Sequence, residues 1–356
     1  MDIEKKKRNE MAFKIFIIGV TGYIAGDALY ALTRKYPDYE YVALVRCESS
    51  AARVRGAYPS VRVVLGSLDD ADLIRKEAAW ADLVLDGADA DHVVAMNAIV
   101  AGLVEGHSAS RPGFWLHTSG TGIMTYSDTA LDRFGQPPDR EYDDVDRLDE
   151  ITNVPDEAFH RITDKIVLEC GTKHVKVVNT AIVCPPTIYG AGRGPVNTRS
   201  KQCPALANVI LTKGQAPIIG TGQASTNNVH IGDLSEAFTL LVEAAVGGNF
   251  SSEIWGARGY HVVGNDKHAW GPLARSMTAK ARDLGLIEVD GEVKDYQMSK
   301  EEAYKVAGWD GLSWGLNNVC NARRLRETLG WAPKYPTLEE EIPETLNAEA
   351  KRIGLI

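Results

Sequence analysis

Long apolar runs are missing from this sequence: no stretch approaches about eighteen consecutive apolar residues, so no membrane-spanning helix and no membrane partner are expected. The opening MDIEKKKRNE carries charge with no apolar segment behind it. No signal peptide is expected there, and residues 1–12 read as a disordered N-terminal arm. Clustered basic residues are also missing. The formal charge is −9, and Arg53, Arg55 and Arg62 are scattered among apolar neighbours, which excludes a nucleic-acid surface. Cysteine is scarce, with five widely spaced residues and no C-x-x-C pair. That usage fits reduced thiols in the cytoplasm, and no His, Cys or carboxylate cluster has the spacing of a metal site. Internal repeats and low-complexity tracts are absent.

The 356 residues suffice for one large α/β unit with an elaboration. Short apolar runs alternate with helical patterns: FKIFIIG (13–19), YVALV (41–45), VRVVLG (61–66), ADLVLDG (81–87), GFWLHTSG (113–120) and HVKVVNTAIV (174–183). Near-continuous Val, Ile and Leu separated by helices is what a parallel sheet covered on both faces requires, so the expected class is doubly wound α/β. Strict alternation lapses beyond Gly190. The expected division is a nucleotide-binding unit over 13–190 and a smaller mixed α/β substrate region over 191–356, with segments around 226–263 returning to the core. Helices are expected near Asp233–Val246, Pro272–Leu284 and Asn321–Leu329. The acidic, proline-bearing stretch 126–155 reads as a solvated loop, with a flap over the site as the alternative.

"GVTGYIAG" follows the first strand and opens the first helix. Gly19 permits the tight turn, Gly22 lets backbone N–H groups approach a pyrophosphate, and Ala25 keeps the helix close to the strand. The turn Gly19, Thr21, Gly22, Tyr23 and Ile24 is therefore the expected dinucleotide cradle. Arg46 ends the second strand, where a guanidinium suits a 2′-phosphate, with Ser49, Ser50 and Arg53 near. NADP(H) is expected over NAD. The alternatives are Glu48 on the ribose of NAD, or Arg46 as a solvated surface charge.

With these landmarks the chain resembles the extended short-chain dehydrogenase/reductase superfamily, in its epimerase/dehydratase, dihydroflavonol-reductase-like and NmrA-like branches. "VRVVLGSLDDADLI" resembles the adenine-contacting segment and implies Leu68; "LDGAD" resembles the fourth-strand turn and implies Gly87 and Ala88. "LHTSG" resembles the strand end that supplies an active-site hydroxyl, here Ser119. "VCPPTIYGAG" resembles the segment that meets the nicotinamide, which implies Pro185 and Ile188. "IIGTGQASTNNVHIGDLSEAF" and "ARRLRETLGWAP" resemble later signatures. Nucleotide-sugar members usually hold an arginine where Ala224–Asn227 stand, so a smaller, less charged substrate is implied. Dimers are common in the superfamily, and a homodimer is the assembly the resemblance implies.

The superfamily keeps a tyrosine, which handles the substrate proton, four residues before a lysine, which holds the nicotinamide ribose. "FHRITDKIVLE" (159–169) offers Lys165 for the lysine and Arg161 four residues earlier. Arginine stays protonated, so Arg161 can polarise an oxyanion but is a poor proton donor. The alternative is an i, i+4 ladder of Glu157, Arg161, Lys165 and Glu169, above a buried face of Phe159, Ile162 and Ile166. Tyr126, Tyr142 and Tyr189 are the other proton-donor candidates. His160 lies about 140° round the helix from Lys165 and is a weak one. His117 and His230 read as satisfied strand-end residues. The expected function is an NADP(H)-dependent oxidoreductase acting on a carbonyl or enone of a small, aromatic or secondary metabolite. The alternatives are a redox-silent NmrA-like regulator, or the same scaffold turned to isomerase or lyase chemistry.

Overall fold

In the computed structural model, which describes residues 12–288 and 291–356, the early apolar runs form β1 (Lys14–Ile18), β2 (Glu40–Val45), β3 (Arg62–Leu65), β4 (Leu83–Asp86) and β5 (Gly113–Thr118). Between them run α1 (Tyr23–Lys35), α2 (Glu48–Ala57), α3 (Ala71–Trp80) and α4 (Val93–Gly106). The middle of the chain forms α5 (Tyr126–Ala130), β6 (Tyr142–Asp143), α6 (Leu148–Thr152), α7 (Arg161–Lys173), β7 (Val178–Cys184) and β8 (Thr187–Tyr189). Then come α8 (Gln202–Lys213), β9 (Ala216–Ile218), β10 (Ser225–His230), α9 (Ile231–Val246), β11 (Tyr260–Val262), β12 (Asp266–Ala269) and α10 (Trp270–Asp283). The last elements are β13 (Asp295–Gln297), α11 (Lys300–Ala307), α12 (Trp309–Leu312), β14 (Cys320–Asn321), α13 (Arg324–Leu329) and α14 (Leu338–Arg352). Apart from Ala12, the arm expected over 1–12 lies outside the described residues.

Seven parallel strands make the central sheet in the order β11-β7-β5-β4-β1-β2-β3, a doubly wound fold. The winding reverses between β1 and β4, where a crevice opens at the carboxyl ends of the strands. Successive side chains of each strand alternate between two covered faces. Ile15, Ile17, Leu83, Leu85 and Leu116 pack with Leu29 and Leu32 of α1 and Phe238 of α9. Phe16, Ile18, Val84 and Trp115 pack with Ile74 of α3, Met96 and Ile99 of α4 and Val167 of α7. A third core, with Leu206, Ile210, Trp270, Met277 and Leu346, organises the C-terminal region. Among the described residues no helix is long and apolar enough to cross a membrane.

The acidic stretch differs from the solvated loop expected of it. Asp128 accepts the backbone and side-chain N–H groups of Asn317 at 3.0 and 2.8 Å. β6 pairs with β14, which takes Asn321 out of the expected helix and leaves α13 to begin at Arg324. Asp144 is fully buried and accepts backbone N–H groups of Arg323 at 3.0 Å, Arg324 at 3.1 Å and Val262 at 3.3 Å. These acids serve as fixed acceptors for the chain end of the C-terminal region, which is why the stretch folds down.

A second buried carboxylate fastens the segment after β8. Asp27 of α1 is wholly buried; it accepts Arg193 through the backbone N–H at 2.7 Å, Nε at 3.0 Å and Nη2 at 2.6 Å, and Ser235 Oγ at 2.5 Å. Beyond it, the Asn197 N–H donates to the Thr21 carbonyl at 3.3 Å. The chain over residues 190–197 therefore straps the first turn of α1.

Two predictions concern these carboxylates. Burial works against ionised Asp143, but the N–H groups of Asp146 and Val145 and the side chains of Arg323 and Asn321 win and hold it down at about 2. Against an ordinary aspartate near ~3.9, its stabilisation is complete above about pH 4 and lost as pH falls toward 2. Burial pushes Asp144 up to about 6, so its sign is opposite and stability declines from about pH 4 to 6. Urea midpoints measured across these windows should lose the acid-side dependence in Asp143→Asn and the second window in Asp144→Asn. Arg193→Ala leaves Asp27 buried without its cation and should cost about 3 kcal/mol in a urea titration; an unchanged midpoint would show that the pair is dispensable.

Candidate functional site

The crevice is built first by close backbone approach. Gly19 has φ +96°, and a Cβ there would lie 2.6 Å from the Gly87 carbonyl oxygen and 2.8 Å from the Ala88 nitrogen. The Gly22 N–H bonds the Gly19 carbonyl at 2.8 Å, and a Cβ on Gly87 would fall 2.9 Å from the Ala25 methyl. The small residues of the turn are thus required by contact between the ends of β1 and β4. Gly22 caps α1 without a side-chain acceptor, and no acidic residue stands in the first turn. The helix N-terminus keeps free N–H groups and a positive dipole end, which suit a pyrophosphate.

Several expected cofactor residues sit around this turn in ways the sequence did not reveal. The Tyr23 hydroxyl donates to the Gly190 carbonyl at 2.6 Å and the Tyr189 carbonyl at 3.1 Å, so its side chain holds the strap, and burial raises its pKa. Ile24 is half-buried on the first core layer, and Leu68 on the second. Arg46 is exposed at the end of β2, while Glu48 is paired with Arg55. Arg53 Nη2 reaches the Val196 carbonyl at 3.3 Å. Along this edge the strap, the turn and the end of β2 form one margin.

At the ends of β5 and β7, the Ser119 N–H donates to the Val183 carbonyl at 2.9 Å and the Thr121 N–H to the Pro185 carbonyl at 3.1 Å. These bonds bring Ser119 beside buried Pro185, with Ile188 half-buried just beyond in β8. Ser119 Oγ donates to Asp164 Oδ2 at 3.0 Å, and the buried Tyr260 hydroxyl donates to the same oxygen at 2.8 Å. His117 Nδ1 lies 3.0 Å from Asp86 Oδ2, and its Nε2 lies 3.7 Å from Asp164 Oδ1. Burial disfavours a charged His117, yet the hydrogen bond and charge of Asp86, then Asp164 and Asp91, hold its pKa above the ordinary value. Burial holds the Asp164 carboxyl above the usual range against the pull of His117, His160, Tyr260 and Ser119. One cation between two buried acids offsets only one negative charge, so the second acid keeps its proton more readily.

Asp86, Asp164 and Tyr260 were not singled out from the sequence, and His117 was read as a satisfied strand-end residue. A usable signal was present for Asp164: it is in helical step with Val167, Cys170 and Gly171, all buried. The buried face of α7 is Thr163, Asp164, Val167 and Cys170, while Phe159 and Ile162, expected inside, are 40% and 52% exposed. This one-residue roll corrects the expected buried face of the helix. Lys165 turns outward, with Nζ 3.1 Å from Asp156, and Arg161 donates through Nε to the Val154 carbonyl at 3.1 Å. Lys173 pairs with Glu169, so this side of the helix carries a set of local ion pairs.

The helix also starts later than expected, because His160 adopts φ +65° and blocks continuation from Pro155. Its Nδ1 lies 3.0 Å from Asp91 Oδ1. A Cβ on Gly120 would meet its Nε2 at 3.1 Å, which sets the ring over the residue after Ser119. The tyrosine candidates have other partners. Tyr142 donates to the Met124 carbonyl at 3.2 Å and Tyr189 to the Pro336 carbonyl at 2.9 Å, and Tyr126 is half-buried on the second core layer. His230 accepts the Gly232 N–H at 3.0 Å and stacks on Tyr335, and burial lowers its pKa to about 4.

Comparison with known proteins places this geometry. Residues 135–251 match the NAD dependent epimerase/dehydratase family. A protein of Acremonium sp named "Oxidase ucsJ" is 37% identical over 353 residues, spanning 97% of this chain and 100% of that protein. Among solved structures, dTDP-glucose 4,6-dehydratase from Bacillus anthracis in complex with NAD superposes with a TM-score of 0.63 at 14% identity, covering 97% of this chain and 98% of that one. DesIV, a dTDP-glucose 4,6-dehydratase from Streptomyces venezuelae with NAD bound, gives 0.63 at 17% identity over 96% and 98%. The glycine turn, the strand order and these relatives agree: this chain belongs to the NAD dependent epimerase/dehydratase family.

Proposed function

We propose that the protein is an NADP(H)-dependent oxidoreductase that acts on a carbonyl or conjugated enone of a small aromatic metabolite. The observation that carries this reading is the meeting of the Gly19–Gly87 turn with Ser119 and Pro185 at one set of strand ends. The relative named an oxidase supports redox chemistry. A bound nicotinamide nucleotide would supply hydride chemistry. The chain's own contribution would be to hold its pyrophosphate on the α1 N-terminus and, with the Ser119 hydroxyl turned from Asp164 to the ligand, to stabilise a developing oxyanion.

Two further observations shape the substrate class. Ala224–Asn227 offer no cation to a sugar diphosphate; Thr226 is buried and bonded to Asn318. Phe159 stacks on Trp309 with ring centroids 4.9 Å apart and covers Gly122, close to His160. This aromatic wall favours a flat, apolar substrate. For the cofactor, exposed Arg46 has no acidic side chain in hydrogen-bond contact among the described residues, whereas Glu48 is engaged by Arg55; both favour a 2′-phosphate over a bare ribose.

A second reading, a redox-silent dinucleotide-binding protein, draws on the outward turn of Lys165, the residue expected to hold the nicotinamide ribose. Binding and turnover separate the two. Purified protein should bind NADPH and oxidise it with members of a panel of aromatic aldehydes, ketones and enones; tight binding of NADPH with no turnover across the panel favours the second reading. Ser119→Ala should lower kcat about 10²-fold with NADPH affinity little changed. Arg46→Ala should weaken NADPH about tenfold and leave NADH nearly unaffected in fluorescence titrations; equal weakening of both would remove Arg46 from cofactor selection.

A further inference from the structure

We infer that His160 is the group that exchanges the substrate proton, positioned by Asp91 and turned into the crevice by its left-handed backbone. The inference rests on the oxidoreductase reading above and adds to it the missing proton carrier.

Three independent features converge on this residue. The first is conformation: His160 and Asp132 are the non-glycine residues at positive φ among those described. For His160 the consequence is local and specific. The left-handed turn ends the Pro155 segment and starts α7 at Arg161, and it directs the imidazole toward the Ser119 side of the helix. Backbone strain of this kind persists where surrounding contacts hold it, and it clusters at active sites.

The second feature is the division of labour between the ring nitrogens. Nδ1 is 3.0 Å from the Asp91 carboxylate, which fixes the ring and its tautomer. Burial would raise the Asp91 carboxyl, but the hydrogen bond and charge of His160 prevail and hold it below its usual value, as befits an ionised acceptor. Among the described residues, Nε2 makes no hydrogen bond; it stands over Gly120, the residue after Ser119. Gly120 matters here because a Cβ would stand 3.1 Å from that nitrogen and press on the ring.

The third is the relation to Asp164. Four residues after His160 on the same inward face, Asp164 receives the Ser119 hydroxyl. The superfamily resemblance had placed Arg161 and Lys165 at the tyrosine and lysine positions, each one residue further along, and both lie near Asp156 instead. The inward pair inverts the electrostatics of a tyrosine beside a lysine. A weak neutral acid helped by a cation is replaced by a cationic acid near carboxylates. Histidine exchanges protons in the physiological range, which arginine does not.

In the reductive direction hydride reaches the carbonyl carbon and forms the new C–H bond, while the carbonyl π pair moves to oxygen. That oxygen, bonded by the Ser119 hydroxyl once it turns from Asp164, takes the proton from Nε2 of the protonated imidazole. The ring is left neutral with its Nδ1–H on Asp91 and regains a proton from water. In the oxidative direction the same nitrogen accepts the hydroxyl proton. Hydride comes from, or returns to, the nicotinamide nucleotide of the proposed reaction, so charge and electrons balance.

The decisive variant is His160→Asn, because asparagine tolerates the left-handed conformation and keeps the turn. With NADPH and 4-nitrobenzaldehyde as the probe, kcat should fall about 10²-fold or more while NADPH affinity stays within about twofold. Asp91→Asn should lower kcat about tenfold, and the double variant should be no worse than His160→Asn alone, because Asp91 acts through the ring. Activity retained in His160→Asn, or a comparable loss confined to Arg161→Gln, would overturn the assignment. A crystal of the wild-type chain with NADP and 4-nitrobenzyl alcohol reads the same point without turnover. The alcohol oxygen is expected within hydrogen-bond reach of Ser119 Oγ and His160 Nε2, and an oxygen met instead by Arg161 or Tyr126 would defeat the inference. If NADPH binds but no compound is turned over, the oxidoreductase reading fails by itself, and the crystal still decides whether Nε2 faces the ligand.

Discussion

The Asp164 carboxylate is taken out of water where β5, α7 and β11 meet, and that burial constrains everything around the candidate site. A buried carboxyl needs hydrogen-bond donors to offset lost hydration. It finds them in Ser119 at the end of β5 and Tyr260 on β11, with His117 facing its other oxygen. Satisfying those donors sets the rotation of α7. Val167 and Cys170 then face the sheet, His160 lies over Gly120, Arg161 is held against the Val154 carbonyl, and Lys165 faces the solvent side. The chemistry available at the strand ends follows from that one orientation.

The buried charges form two groups with different duties. Around Asp164 lie His117 and Asp86, a cluster with more acid than base, in which His117 is driven toward its charged form and Asp164 toward its neutral one. Such a cluster is adaptable, since a small change in surroundings moves a proton along it. Asp27 stands in contrast. Its partner Arg193 is a permanent cation that grips it through three N–H groups, and Ser235 adds a fourth bond. That arrangement is rigid, and it holds the strap across the first turn of α1, next to the pyrophosphate cradle.

The acidic stretch 126–155 shows the same economy of buried carboxylates. Its composition resembles that of a solvated loop, yet Asp128 and Asp144 accept backbone N–H groups of Asn317, Arg323 and Arg324 from the C-terminal region, while Asp143 accepts the Asn321 and Arg323 side chains. A charge-rich sequence can thus be a docking element when its partners are main-chain donors. Those donors are invisible in a list of side chains.

Local patterns were enough to read the parallel sheet and the Gly19 turn, and the order of motifs pointed to Gly87 and the Ser119 strand end, because each depends on short-range rules: alternating apolar runs, the need for a small residue at a tight turn, and the order of motifs along the chain. The interior of α7 was not legible in that way. Ile162 and Ile166 compete with Thr163 and Val167 for the buried face, and a helix offers both solutions one residue apart. Packing against β5 and β11 chose the second, since only that rotation gives Asp164 its donors. His160 joined the site for the same reason. Its positive φ, its bond to Asp91 on the β4–α4 loop and its place over Gly120 are contacts between segments far apart in sequence. No residue pattern within one helix encodes such contacts; they arise only when the strands, the loop and the helix are brought together.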